Sequence, residues 1–129
     1  MEYAYRYPLT DLSEISSGSH EFFISYEDTK ENVLLGFCRL RFPGQSLRKE
    51  ITKDSAIIRE LHVVGELAQI GKKGKTQHTG IGKMLLAEAE NTAKTYNKEK
   101  MIVISGIGAR EYYRKLGYSK EGPYMVKKI

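Results

Sequence analysis

The chain has 129 residues, of which 40% are hydrophobic and 29% charged, with a formal net charge of +5 from 21 basic and 16 acidic side chains. That length suits one domain, and the basic surplus suits an anionic ligand such as a nucleotide, or nucleic acid, as readily as an ordinary solvated surface. A single cysteine, Cys38, leaves no internal disulfide, iron–sulfur cluster or zinc site within the chain. No run approaches the roughly 20 apolar residues of a membrane span, and the start "MEYAYRYPLTDL" has no apolar leader, so the chain reads as cytoplasmic with no membrane partner.

In chain order, residues 1–20 read as irregular. "EFFISYE" at 21–27 reads as a strand, and "VLLGFCRLRF" at 33–42 as a second, apolar enough at its start to be buried on both faces. Cys38 packs within it. "AIIRELHVVG" at 56–65 is a third strand, rich in β-branched residues. The long basic loop "ELAQIGKKGKTQHT" leads to a helix over roughly 80–96, where Ile81, Met84, Leu85, Ala89, Ala93 and Tyr96 fall at helical spacing. Asn97 is its stop. "MIVIS" at 101–105 is a short buried strand, "AREYYRKLG" at 109–117 a short helix ending at Gly117, and "YSKEGPYMVKKI" a final hairpin or bent strand.

"QHTGIG" at 77–82 places two glycines where a helix must begin. Glycine costs a helix up to about 1 kcal/mol relative to alanine, so the pattern calls for a reason. A helix start offers unpaired N–H groups and partial positive charge, and phosphates bind there. Without Cβ atoms, Gly80 and Gly82 let a pyrophosphate approach the amides, and Gln77 adds a side-chain donor. The same pattern also describes a glycine-rich lead-in loop with no ligand. "GKT" at 74–76 imitates a nucleotide-binding P-loop, but Gln69 stands where that loop needs glycine. A dinucleotide-binding glycine pattern fails at Leu85.

"AREYYRKLGY" at 109–118 carries two adjacent tyrosines, which cannot share one helix face. The expected arrangement has Tyr112 packed inward and Tyr113 facing the opening where two strands end. A phenol, with a reference pKa near 10, can hydrogen-bond to or protonate a departing thiolate, whose thiol lies near 8.5.

With the strands before them, these two motifs resemble the GNAT acyltransferase superfamily. "FISYED", "LLGFCRLRFP", "IRELHVVG", "QHTGIGKMLLAEAE", "VISGIGAREYYRKLGY" and "GPYMVKKI" resemble, more narrowly, the acetyltransferase domains of the Elongator catalytic subunit family over residues 21–129. The resemblance implies an α/β (α+β) fold with a central mixed sheet flanked by helices and acetyl-CoA in the splay between central strands. It implies that Glu60, Leu61, His62 and Val63 form the strand edge that pairs with the pantetheine arm. Ile81, Gly82 and Lys83 hold the pyrophosphate, with Gln77 and Gly80 lining the approach, and Tyr113 faces the sulfur. Glu60, at the end of the third strand, is the candidate base.

The resemblance further implies the acetyl-donor half of an enzyme that carboxymethylates the wobble uridine (U34) of tRNA. tRNA and a radical S-adenosylmethionine domain, in cis or in trans, are then the partners. That domain would hold the iron–sulfur cluster and S-adenosylmethionine, which this chain's residues do not match. The first 20 residues are too few for the helical pair usual in such folds, which leaves a surface uncovered. Two rival readings stand: a free-standing GNAT enzyme acetylating a protein or small-molecule amine, and a basic RNA-binding or assembly module using Arg39, Arg41, Lys72, Lys73 and Lys75.

Overall fold

The computed structural model describes residues 5–6, 9–14, 19–29, 32–44, 48–63 and 80–129. The strands are β1 (Tyr5–Arg6), β2 (Leu9–Glu14), β3 (His20–Asp28), β4 (Val33–Phe42), β5 (Ser55–Val63), β6 (Lys100–Val103), β7 (Ser119–Glu121) and β8 (Tyr124–Lys128). Helix α1 spans Ile81–Thr95, and α2 spans Arg110–Lys115 behind a 3-10 turn at Ile107–Ala109. The strands form one mixed sheet in the order β1-β3-β4-β5-β6-β8-β7, with β2 also on the β3 edge. Among the described strands, only β5 and β6 run parallel; a parallel pair needs a crossover, and α1 supplies it.

Residues 1–20 are not irregular throughout. Tyr5 and Arg6 pair with Asp28 and Glu27, and residues of β2 pair with β3 from His20 to Ile24. An open strand edge accepts backbone from almost any sequence, so the short runs "YR" and "LTDLSE" form strands without strong strand patterning. β4 also departs from expectation at its start. Val33 and Leu34 are exposed, and regular burial sets in only from Leu35.

One sheet face packs against α1 through Phe22, Ile24, Leu40, Ala56, Ile58, Met101 and Val103, which meet Ile81, Leu85, Leu86 and Ala89. On α1, Leu86 takes the buried place expected of Met84, which is exposed, and Tyr96 lies at the rim against Phe22 and Phe42. A smaller cluster of Ile57, Ile102 and Val126 fills part of the other face. α1 stops where the sequence says: Asn97 turns left-handed (φ 64°), and Asn97 and Lys98 donate to the Lys94 and Ala93 carbonyls at 2.9 Å each. That is a Schellman ending with asparagine at its left-handed position. Among the described residues no helix is long and apolar enough to cross a membrane.

Candidate active site

β5 and β6 pair from Ser55 with Lys100 to Ile58 with Val103. β6 then ends, while β5 runs on to Val63. On the β6 side, residues 59–63 have no strand partner among the described residues, so the two central strands open into a splay. A bulge lies at the same point. Leu40 pairs with Ile58 and Arg39 with Glu60, which leaves Arg59 as the extra residue. A bulge shifts the alternation of a strand by one. Ile58 therefore faces α1, and so do Leu61 and Val63 beyond the bulge.

The splay opens on a cavity of about 440 Å³, walled by Leu61 and Val63, by Gly80, Gly82 and Lys83 at the start of α1, and by Tyr112 and Tyr113 of α2. Its lining is mostly apolar, with Lys83 and Lys115 supplying positive charge. α1 begins at Gly80, whose φ of 89° is left-handed and glycine-favouring, and whose missing Cβ faces open space. The first turn has neither a side-chain cap nor an acidic residue, so its N–H groups keep their affinity for an anion. Gly82 is a glycine for a different reason: a Cβ there would come within 2.7 Å of the Tyr112 Oη.

Tyr113 faces the opening as expected, but Tyr112 is not packed inward. Tyr113 is buried at 7% exposure and Tyr112 is 42% exposed, yet both line the cavity. The cause lies in the end of α2. Gly117 adopts φ 99°, and Gly117 and Tyr118 donate to the Arg114 and Tyr113 carbonyls at 3.0 Å each. This second Schellman ending brings the residue after the glycine back onto the last turn. Tyr118 accordingly packs edge-on against Tyr113, with ring centroids 5.8 Å apart. The Tyr118 hydroxyl donates to Glu90 Oε2 at 2.7 Å, and Lys127 Nζ donates to the same carboxylate at 3.3 Å. Tyr113 is thus held from behind by a fixed neighbour. Tyr118, Glu90 and Lys127 were not foreseen, although a tyrosine just past a helix-stopping glycine is a readable sign of such a contact.

Burial, reinforced by neighbouring Tyr112 and Cys38, pushes the Tyr113 phenol up to about 12. Burial, with Glu88 nearby, likewise pushes the Cys38 thiol up to about 12. Tyr118 is raised by burial and by its bond to Glu90. All three therefore stay protonated at neutral pH, and Cys38, at 0% exposure, is a core side chain.

Among the expected site residues, Leu61, Val63, Gly80, Gly82, Lys83 and Tyr113 line one cavity, and Ile81 is buried in the core beneath the helix start. Gln77 and His78 lie outside the described residues, as do Lys72, Lys73 and Lys75. Glu60 and His62 contribute backbone to the open edge, but their side chains project from the sheet face away from the cavity. His62 packs against Phe37 at 5.5 Å. The Glu60 carboxylate lies 3.2 Å from Arg39 Nε and is half exposed. It is not brought to Tyr113, because the bulge at Arg59 turns its neighbours toward the cavity instead. Arg39 also bonds Glu21 at 2.9 Å, and Arg41 bonds Ser19 at 3.1 Å, so both arginines are tied down within the sheet.

A family model described as "Acetyltransferase (GNAT) family" matches residues 2–118. The chain belongs to this family. It is similar, at 49% identity over 116 residues, to the tRNA uridine(34) acetyltransferase of Methanocaldococcus jannaschii, a match covering 87% of this chain and 21% of that protein. It is 43% identical over 129 residues to Elongator complex protein 3 of Danio rerio, covering 97% of this chain and 24% of that one. The solved structure of Methanocaldococcus infernus Elp3 with an N-terminal deletion is 44% identical, with a TM-score of 0.79 over 95% of this chain and 30% of that chain. The PaiA N-acetyltransferase of Thermoplasma acidophilum, solved with coenzyme A, shares the GNAT fold at 22% identity and a TM-score of 0.58, over 84% of this chain and 61% of that chain. The chain spans roughly a fifth to a quarter of the length of its curated relatives.

Proposed function

We propose that this GNAT chain binds acetyl-CoA in the splay and serves as the acetyl-donor half of an enzyme that modifies the wobble uridine of tRNA. The observation that carries the reading is the convergence, in one cavity, of the open half of β5, the uncapped start of α1 and Tyr113. The substrate class rests on the relative named tRNA uridine(34) acetyltransferase. A cytoplasmic setting is part of the same proposal.

The pantetheine arm adds to the free edge of β5 as a strand would, its amides meeting backbone groups of residues 59–63. The pyrophosphate lies at the first turn of α1, with Lys83 beside it. Backbone N–H groups of the same edge polarise the thioester carbonyl. When water adds to that carbonyl carbon and the C–S bond breaks, giving acetate and the CoA thiolate with the water proton passing to solvent, Tyr113 donates a hydrogen bond to the departing thiolate. With the phenol near 12 and an alkyl thiol near 8.5, full proton transfer to sulfur runs uphill. Tyr113 therefore stabilises the thiolate rather than acting as its acid.

Joining the acetyl methyl carbon to a uridine ring carbon requires that carbon to be activated. This chain's one thiol is sealed in the core, and it does not fit an iron–sulfur cluster. The radical S-adenosylmethionine chemistry belongs to a second domain, fused or separate. The test is acetyl-CoA hydrolysis by this chain with and without tRNA, and tRNA nucleoside analysis with and without a radical S-adenosylmethionine partner. Binding of acetyl-CoA and tRNA-dependent turnover are expected, with modified uridine only when the partner is present. An amine acetylated rapidly in the absence of tRNA would overturn the reading.

A further inference from the structure

We infer that the sheet face opposite α1 carries a site for one unpaired nucleotide of the RNA, its phosphate held by Arg59 and its base stacked on the rings of His62 and Phe37. This rests on the RNA-modifying reading above and says where on the domain the RNA is gripped.

A second cavity, of about 410 Å³, lies on that face, walled by Glu21, Arg39, Arg41, Arg59 and Glu60. The bulge builds it. Arg59 is the extra residue between Ile58 and Glu60, so two neighbouring side chains, Arg59 and Glu60, open onto one cavity where plain alternation would send one to each face. Three guanidinium groups there meet two carboxylates, which leaves one positive charge uncompensated. Arg39 is held by Glu21 at 2.9 Å and by Glu60 at 3.2 Å, and Arg41 bonds Ser19 at 3.1 Å. Arg59 is exposed and has no hydrogen-bond or ion-pair partner among the described residues. It is the guanidinium left to grip an anion, and its planar fork suits a phosphate.

Beside that cavity a row of rings crosses three strands. Phe23 and Phe37 stack with 5.3 Å between centroids and 27° between planes, and Phe37 meets His62 at 5.5 Å. Phe23 and Phe37 are half-buried and His62 is exposed, and neither helix contributes to the apolar cluster on this face. Open rings beside a free guanidinium are what a single strand of nucleic acid takes: bases stack on the rings and phosphate meets the cation. A duplex, whose bases are already stacked, cannot use the rings, and an acidic protein would use the arginine and leave them idle. The position fits as well. Arg59 and His62 belong to the open half of β5, whose other face meets the acetyl-CoA cavity through Leu61 and Val63. A base held on one side of that half lies one strand away from a thioester held on the other.

The test titrates the chain with a single-stranded oligouridylate, with an RNA duplex of equal length and with polyglutamate, each followed by NMR shifts over a salt series. The single strand should move the amides of Phe37, Arg39, Arg59 and His62 and bind about ten-fold more tightly than either competitor. Arg59→Gln should weaken the single strand and lower the slope of log affinity against log salt by about one, the mark of one phosphate contact, while Arg59→Lys keeps the slope. His62→Ala should weaken it about ten-fold with the slope unchanged, the mark of a lost stacking partner. Both side chains are exposed, so the variants keep the fold, which the same spectra read. A single strand that leaves this face unmoved, an Arg59→Gln or His62→Ala variant that binds it as the parent does, or a duplex or polyglutamate that binds as tightly overturns the inference. Acetyl-CoA is titrated separately into the parent. Acetyl-CoA binding without RNA shifts on this face removes this site alone. RNA shifts here without acetyl-CoA binding remove the acetyl-donor reading and leave this site standing.

Discussion

Two halves of one strand behave in opposite ways. In residues 55–58, β5 pairs with β6 throughout and with β4 at Ile57 and Ile58, and its side chains are almost fully buried. In residues 59–63 it keeps its partner β4, loses β6 and meets the cavity with two side chains. The first half carries packing and the second carries backbone groups left open. An extended strand serves as scaffold and as ligand-binding edge because one neighbour ends after Val103 and one extra residue, Arg59, resets which way the side chains point.

The comparison can be broken at either half. The largest effect is expected in the paired half: Ile58→Ala should cost about 2–5 kcal/mol through lost burial and a cavity, measured by denaturant unfolding. A loss below about 1 kcal/mol would mean that this half is not the scaffold. Next, Tyr113→Phe should slow acetyl-CoA turnover by about 10²-fold, the scale of removing one preorganised donor, with CoA affinity and melting temperature nearly unchanged. Equal losses of turnover and affinity would assign Tyr113 to binding instead.

A third effect follows from burial in the core beside the open half. Cys38 and Tyr113 have ordinary values of 9.0 and 10.0 and are both raised to about 12 in the fold. Each group holds its proton more tightly when folded, so its contribution to stability is whole below the unfolded value and is lost as pH rises toward the folded one. Stability should therefore be insensitive to these groups below about pH 9 and decline between about 9 and 12, by thermal melts in a pH series. Cys38→Ala should flatten the lower part of that decline. The smallest effect is expected for Glu60→Gln, which should leave turnover within about two-fold and stability within about 1 kcal/mol, as for an exposed ion pair. A hundred-fold fall in turnover would restore Glu60 as the base.

Much of this was readable from residues alone. Asn97 and Gly117 stop their helices as expected, and the sheet's central strands follow the β-branched runs. The unread parts share a physical cause, dependence on a neighbour distant in sequence. β1 and β2 form because β3 offers an edge, not because "YR" or "LTDLSE" demand it. Leu86 displaces Met84 because the sheet sits where it does under α1. The side of Glu60 depends on a bulge that only the pairing with β4 reveals; simple alternation from Ile58 would have placed its carboxylate toward α1. Which tyrosine is buried depends on Tyr118 folding back across Gly117, a contact settled by tertiary packing and not by helix periodicity.

The central claim is that acetyl-CoA enters where β5 leaves β6. Its most direct test is a backbone amide NMR titration of the chain with acetyl-CoA. The account predicts saturable shifts at residues 59–63, at 80–83 and around Tyr112 and Tyr113, with amides of residues 55–58 and of β8 nearly still. Shifts confined to the opposite face around Phe23 and Arg39, or no shifts at saturating ligand, would contradict it.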